Sequence, residues 1–142
     1  MKEQNFKNHS RLVPGFHGVG FLAVLALLIG SFINLFTSAK ENLYSASLIC
    51  LVAFIFCLIF WYARVFALKA QDRAIRAEES LRYFIMTSKP LPKEVRMSQV
   101  IALRFASDEE FVALTERAVK ENLSSKAIKQ AIQQWRADHH RA

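Results

Sequence analysis

The chain has 142 residues, 53% hydrophobic and 22% charged, with a net charge of +7 and an isoelectric point near 9.7. Its mean hydropathy of +0.17 is high for a sequence with 19 Lys and Arg, because the long apolar runs are concentrated between residues 16 and 68 while residues 69–142 read as charged and amphipathic. The length allows one modest domain, and the uneven distribution excludes both a wholly soluble globule and a disordered chain.

In chain order, residues 1–18 form an N-terminal segment carrying Lys2, Lys7 and Arg11, and the first apolar run, residues 19–37, contains no charge. At ~1.5 Å per residue its length matches the ~30 Å hydrocarbon core of a bilayer. The second run, residues 43–63, is equally uncharged and holds Phe54, Ile55, Phe56, Leu58, Ile59 and Phe60 in one stretch. Both predict spanning helices, joined by residues 38–42, a link too short to build anything of its own. A signal-peptide reading of the first run, prompted by the basic N-terminus and by Thr37-Ser38-Ala39, is disfavoured by its length, since signal cores run ~7 to 15 residues.

Lys and Arg set the orientation. Lys2, Lys7 and Arg11 precede the first run, Lys40 in the link is offset by Glu41, and all other basic residues lie from Arg64 onward. Both termini are therefore expected on the cytoplasmic side. Tyr44 at one end of the second run and Trp61 and Tyr62 at the other suit the two interfaces, ~27 Å apart on a helix. Arg64, Lys69, Arg73 and Arg76 follow directly and suit anionic lipid headgroups, at ~1 kcal/mol for each nearby cation.

Small residues suggest how the hairpin packs. Ala23, Ala26, Gly30 and Asn34 recur at spacings of three and four on the first helix, as do Ala46, Cys50, Ala53 and Cys57 on the second. Small residues let helices approach closely in lipid, so a small-on-small seam is expected, with Gly30→Leu and Ala53→Leu disruptive and Phe56→Leu mild. Asn34 admits two readings, a hydrogen bond within the hairpin or a polar ligand for an ion or cofactor. Cys50 and Cys57 are two turns apart, roughly 10 Å, beyond disulfide reach. His9, His17, His139 and His140 all lie outside the runs, and an adjacent His pair cannot face one metal from a helix. No metal and no cofactor is expected.

After Ala63 no Gly or Pro interrupts the sequence until Pro90, and Asp72 precedes Arg76, and Glu78 precedes Arg82, by one helical turn. The second helix should continue through residues 69–89. Such pairs contribute only ~0.2 to 0.5 kcal/mol each, so something should cover Leu68, Ile75, Leu81, Phe84 and Ile85. Pro90 and Pro92 stop the helix. Residues 90–142 then read as short helices. Ser98 can cap the first, and Ser107-Asp108-Glu109-Glu110 has the pattern of a capping box with acid in the first turn. Ser124 or Ser125 caps a last helix of ~13 residues with Ile128, Ala131, Ile132 and Trp135 on one face. This stripe must be buried against Phe111 and Leu114 or against another subunit. Phe111, Leu114, Ile128, Ile132, Trp135 and Arg136 are accordingly candidate partner-binding residues, an aromatic beside an Arg being enriched at interfaces.

Several segments carry a resemblance: Gln4 to His9, Pro14 with His17, Tyr62-Ala63-Arg64, Lys69 to Arg76, Leu103 to Phe111, and Lys126 to Asp138. Over nearly its whole length the chain resembles a bacterial family of small two-span membrane proteins, domain of unknown function family 6526, with Gly15 where a bulky residue is expected after Pro14. The resemblance implies an architecture and a bacterial inner membrane, with no activity, substrate, cofactor or catalytic residue.

The expected fold is thus an all-α membrane protein: a transmembrane hairpin over 19–68, a cytoplasmic extension of its second helix over 69–89, and a C-terminal helical region over 90–142. Phosphate loops, CxxC, HExxH and GxSxG are absent, and Asp108 to Glu110 is explained by capping. The basic residues after Arg64 alternate in sign with acids, which disfavours nucleic acid as a partner and favours membrane lipid. The expected function is a non-catalytic accessory or scaffold subunit of a larger inner-membrane complex, of respiratory or photosynthetic type for example. The alternative is a free-standing tether whose cytoplasmic helices recruit a soluble protein or nucleic acid. An enzyme or transporter is disfavoured, since two uncharged spans make no conduction path.

Overall fold

A computed structural model describes Asn5, Phe6 and residues 12–138; Lys2, Lys7, His9, Arg11, His139 and His140 lie outside the described residues. The described chain is helical, without strands, and divides into two compact units, Arg11–Ala67 and a second made of Leu68–Ala142 with the N-terminal segment. The helix extension and the C-terminal helices, distinguished in sequence as 69–89 and 90–142, therefore belong to one body.

In the first unit, a π-helical stretch Pro14–Gly20 leads into α1 (Phe21–Thr37). Pro14 occupies the first helical position, where a missing N–H costs nothing. The Val13 N–H donates to His17 Nδ1 at 3.1 Å, and the His17 N–H donates to the Val13 carbonyl at 2.8 Å. This local closure starts the helix ahead of the hydropathy boundary at Val19. At the other end the hydroxyls of Thr37 and Ser38 donate to the carbonyls of Ile33 and Asn34, 2.8 and 2.7 Å away, filling acceptors that a helix end leaves open. A 3-10 turn, Lys40–Asn42, then opens α2 (Leu43–Thr87), 45 residues long. Pro14–Thr37 and Lys40–Thr87 are each long and apolar enough to cross a membrane.

The hairpin seam differs from the small-on-small expectation. On α2, Ala46 and Ala53 are buried and Cys50 and Cys57 half-buried, but on α1 Ala23, Ala26, Gly30 and Asn34 are exposed. The α1 face turned inward carries Val24, Leu28, Ser31 and Leu35 instead. The inward face of α1 thus carries three large side chains and one small one, Ser31, which meets Cys50 of α2. The Cys50 thiol donates to the Ser31 carbonyl at 3.1 Å, while the Ser31 hydroxyl turns back to the Leu28 carbonyl at 2.7 Å. A Cβ on Gly30 would meet nothing within 4 Å, whereas one on Gly20 would come within 3.1 Å of the Phe60 ring. Phe60 also stacks on Phe16, centroids 4.2 Å apart. Asn34 stays local, its side-chain oxygen 3.4 Å from the Ser38 hydroxyl.

α2 ends at Thr87, and Ser88 turns the chain with φ of 56° before Pro90 and Pro92. Three helices follow: α3 (Met97–Leu103), α4 (Asp108–Lys120) and α5 (Ser125–Ala131). Val95, Val100, Leu103, Phe105, Phe111, Ala118 and Ile128 form their core, with Ile75 and Tyr83 supplied by α2. A buried amide ties them together. Gln99 accepts the Arg96 N–H at 2.9 Å and donates to the carbonyls of Ala118 and Leu123 at 3.1 and 3.0 Å. The cap of α3 therefore lies at Arg96 with Gln99, not at Ser98.

Candidate interaction surface

The residues assigned to partner binding from sequence are mostly interior. Phe111, Leu114, Ile128 and Ile132 are buried in the core of the C-terminal unit, because α3 packs against both α4 and α5 and their stripes turn into one core, to which lower α2 adds Ile75 and Tyr83. Trp135 is half-buried, its ring 5.1 Å from that of Phe105, and Arg136 is exposed. The last helix also stops at Ala131, well short of Trp135. Beyond it the chain runs extended beside Ala106: the Ser107 N–H donates to the Gln134 carbonyl at 3.0 Å and the Arg136 N–H to the Phe105 carbonyl at 2.8 Å.

The acidic start of α4 works differently from a capping box. Ser107 makes no side-chain cap to the helix. Glu110, expected to reach back to Ser107, accepts the N–H groups of Gln133 and Gln134 at 3.0 and 3.1 Å and so pins the C-terminal segment. The Ser107 hydroxyl beside it, then its own backbone N–H, hold the Glu109 carboxyl below the ordinary carboxylate range. Asp108 turns to Arg82 of α2, which donates to it at 2.8 Å, to Glu79 at 3.0 Å and to the Ala106 carbonyl at 2.8 Å. One side of lower α2 is thereby fastened to α4.

The other side is left open. Leu81, Phe84 and Ile85 are 59%, 52% and 72% exposed, although the sequence called for something to cover them. Ala70, Ala74 and Ala77 precede them, also exposed. Leu81, Ile85 and Met86 line a groove of about 480 Å³ edged by Arg82, Asp108 and Arg136. A row of large apolar side chains in water, on a helix whose opposite side is fully packed, has the composition of a contact surface.

Among the proposed headgroup residues, Arg64 and Arg76 are half-buried while Lys69 and Arg73 are exposed. A second, polar cleft of about 300 Å³ lies between Glu78, Glu79, Arg104, Arg136 and Asp138. Its charges answer one another, Arg104 Nε standing 3.3 Å from Asp138. Among the described residues no group of three His, Cys, Asp or Glu could hold a metal.

A comparison with known families matches the whole chain, residues 1–142, to a family of unknown function (DUF6526). No curated protein and no solved structure matches it.

Proposed function

The chain belongs to the DUF6526 family, and because membership assigns it no activity we propose, from its physical features, a non-catalytic accessory or scaffold subunit of a bacterial inner-membrane assembly. In this reading α1 and the upper part of α2 anchor the protein, both termini lie in the cytoplasm, and the C-terminal helices brace the lower part of α2. The observation that carries it is the exposed row Leu81, Phe84 and Ile85 on the stretch of α2 whose other side, Ile75, Glu79 and Tyr83, is buried in the C-terminal unit. Burying apolar surface contributes about 25 cal/mol per Å², so a partner on this face removes a standing cost. Lysine and arginine placement supports the orientation, and Arg64, Lys69, Arg73 and Arg76 supply lipid-facing charge where α2 would leave the bilayer.

The test is gentle solubilisation of native membranes followed by native sizing with an antibody to the chain. Co-migration with a larger assembly, lost in Leu81→Glu, is the expected result. Migration of the wild-type chain alone or as a small oligomer would replace this reading with the free-standing tether. A reporter active only outside the cytoplasm, fused after Ala142, should stay silent; activity would overturn the orientation.

A further inference from the structure

We propose that the open face of lower α2 pairs with the same face of a second copy of this chain, the two helices lying parallel. The inference rests on the membrane-anchored reading and on that face being a contact surface, but not on a larger assembly. Leu81 and Phe84 are preceded by Ala77, Ala74 and Ala70 at alternating steps of three and four, the spacing of core positions in a coiled coil. Ala67 and Ala63 continue the same steps. With Ala74 and Leu81 as a positions and Ala70, Ala77 and Phe84 as d positions, each of these is exposed. The α2 side chains buried in the C-terminal unit, Ile75, Glu79 and Tyr83, fall at b, f and c. The C-terminal helices therefore occupy the outer side of the repeat and leave its inner side free.

Charge decides the occupant. In this register Arg73 is a g position and Glu78 the e position five residues later, which is the g-to-e′ relation that brings opposite charges together across a parallel pair. Both side chains are exposed, and neither forms an ion pair among the described residues. A two-fold axis would form the Arg73–Glu78 bridge twice. Two copies inserted in one membrane in the same sense present α2 in the same direction, so parallel is the only pairing open to them. A contact of two to three short heptads is weak in free solution, but confinement to a membrane raises the effective concentration.

The experiment is site-directed cross-linking of the full chain in membranes, with Cys50→Ala and Cys57→Ala to remove native thiols. Ala77→Cys is expected to give an oxidised product of twice the 16.3 kDa chain mass, while Ala113→Cys, on the exposed side of α4, gives none. Arg73→Glu or Glu78→Arg, each placing like charges together, should reduce the product several-fold, and the two combined should restore it. No excess at Ala77→Cys over Ala113→Cys would overturn the proposal, as would indifference to both charge reversals. If cross-linking fails while Leu81→Glu still releases the chain from a larger assembly, the pairing is wrong and the subunit reading stands. If cross-linking succeeds and no assembly is found, the reverse holds.

Discussion

The Arg82 guanidinium lies 4.1 Å over the ring of Phe111, so the charge that fastens α2 to the start of α4 also covers a fully buried aromatic of the C-terminal core. Its partner Glu79 is slightly more buried than Arg82 itself, at 8% against 10% side-chain exposure. Replacing Arg82 by Met would keep much of the packing and strand the Glu79 carboxylate. Removing one member of a buried ion pair costs about 3 kcal/mol or more. Chemical unfolding followed by circular dichroism should register such a loss for Arg82→Met, and less for Arg82→Met with Glu79→Leu. A single-variant loss under about 1 kcal/mol would mean that the pair is solvated.

Gln99 supports a second prediction. Gln99→Leu leaves the Arg96 N–H without its partner, whereas the Ala118 carbonyl keeps the Leu123 N–H at 3.0 Å and the Leu123 carbonyl keeps the Arg96 guanidinium at 3.2 Å. A stranded buried group costs about 1–3 kcal/mol. Gln99→Glu should be worse than Gln99→Leu, since it buries a charge and loses both donated bonds. The unfolding midpoints of the two variants check the order.

Glu110 holds the last described stretch of chain through two backbone N–H groups. Glu110→Ala should release Trp135 from Phe105 with little effect on the helices, because those N–H groups are exposed and water replaces the carboxylate. In a Trp61→Phe background, Trp135 emission should move to longer wavelength and become more accessible to a quencher. Unchanged emission would place the anchoring of Trp135 in the Ala106 bridge alone.

For the hairpin, the structure reverses half of the expectation drawn from sequence. Ala53 is fully buried and a Cβ on Gly30 meets open space. Ala53→Leu should therefore lower the thermal aggregation temperature in detergent, as overpacking costs about 1–3 kcal/mol, while Gly30→Leu should be neutral or stabilising through helix propensity. Equal sensitivity would restore the seam through Gly30.

Much of the fold was legible because it follows from local chemistry. The two long apolar helices come from uninterrupted charge-free runs, the end of α2 from Pro90 and Pro92, and the start of α5 from Ser124, whose hydroxyl accepts the Ala127 N–H at 3.1 Å. What was illegible was which of several equivalent faces turns inward. On α1 nearly every residue is apolar, so Ala23 and Gly30 looked as suitable for the seam as Leu28 and Ser31. On α4 the pattern Ser107 to Glu110 marked the helix start and named the wrong partner, since Gln133 and Gln134 are distant in sequence. On α2 the row Ala70, Ala74, Ala77, Leu81 and Phe84 was readable as a heptad. Leu68, Ile75, Leu81, Phe84 and Ile85 read instead as one surface awaiting cover, because Ile75, which fills the other side, stands interleaved with the row.

The three bonds of Gln99 also constrain how this sequence can diverge. The position requires one acceptor and two donors at a fixed reach, and no other side chain supplies that set: Glu lacks the donors, Asn is shorter, and Lys, Arg and His fit neither the space nor the polarity. Drift through single substitutions at 99 is therefore blocked unless the turn after α4 is rebuilt at the same time. The solvent-facing charges of α4 that fasten no other element, Glu116 and Lys120, remain free to vary. When sequences of this family are aligned, an unvarying glutamine inside an apolar stretch should mark the C-terminal unit more reliably than any of its hydrophobic positions, where one aliphatic side chain readily replaces another.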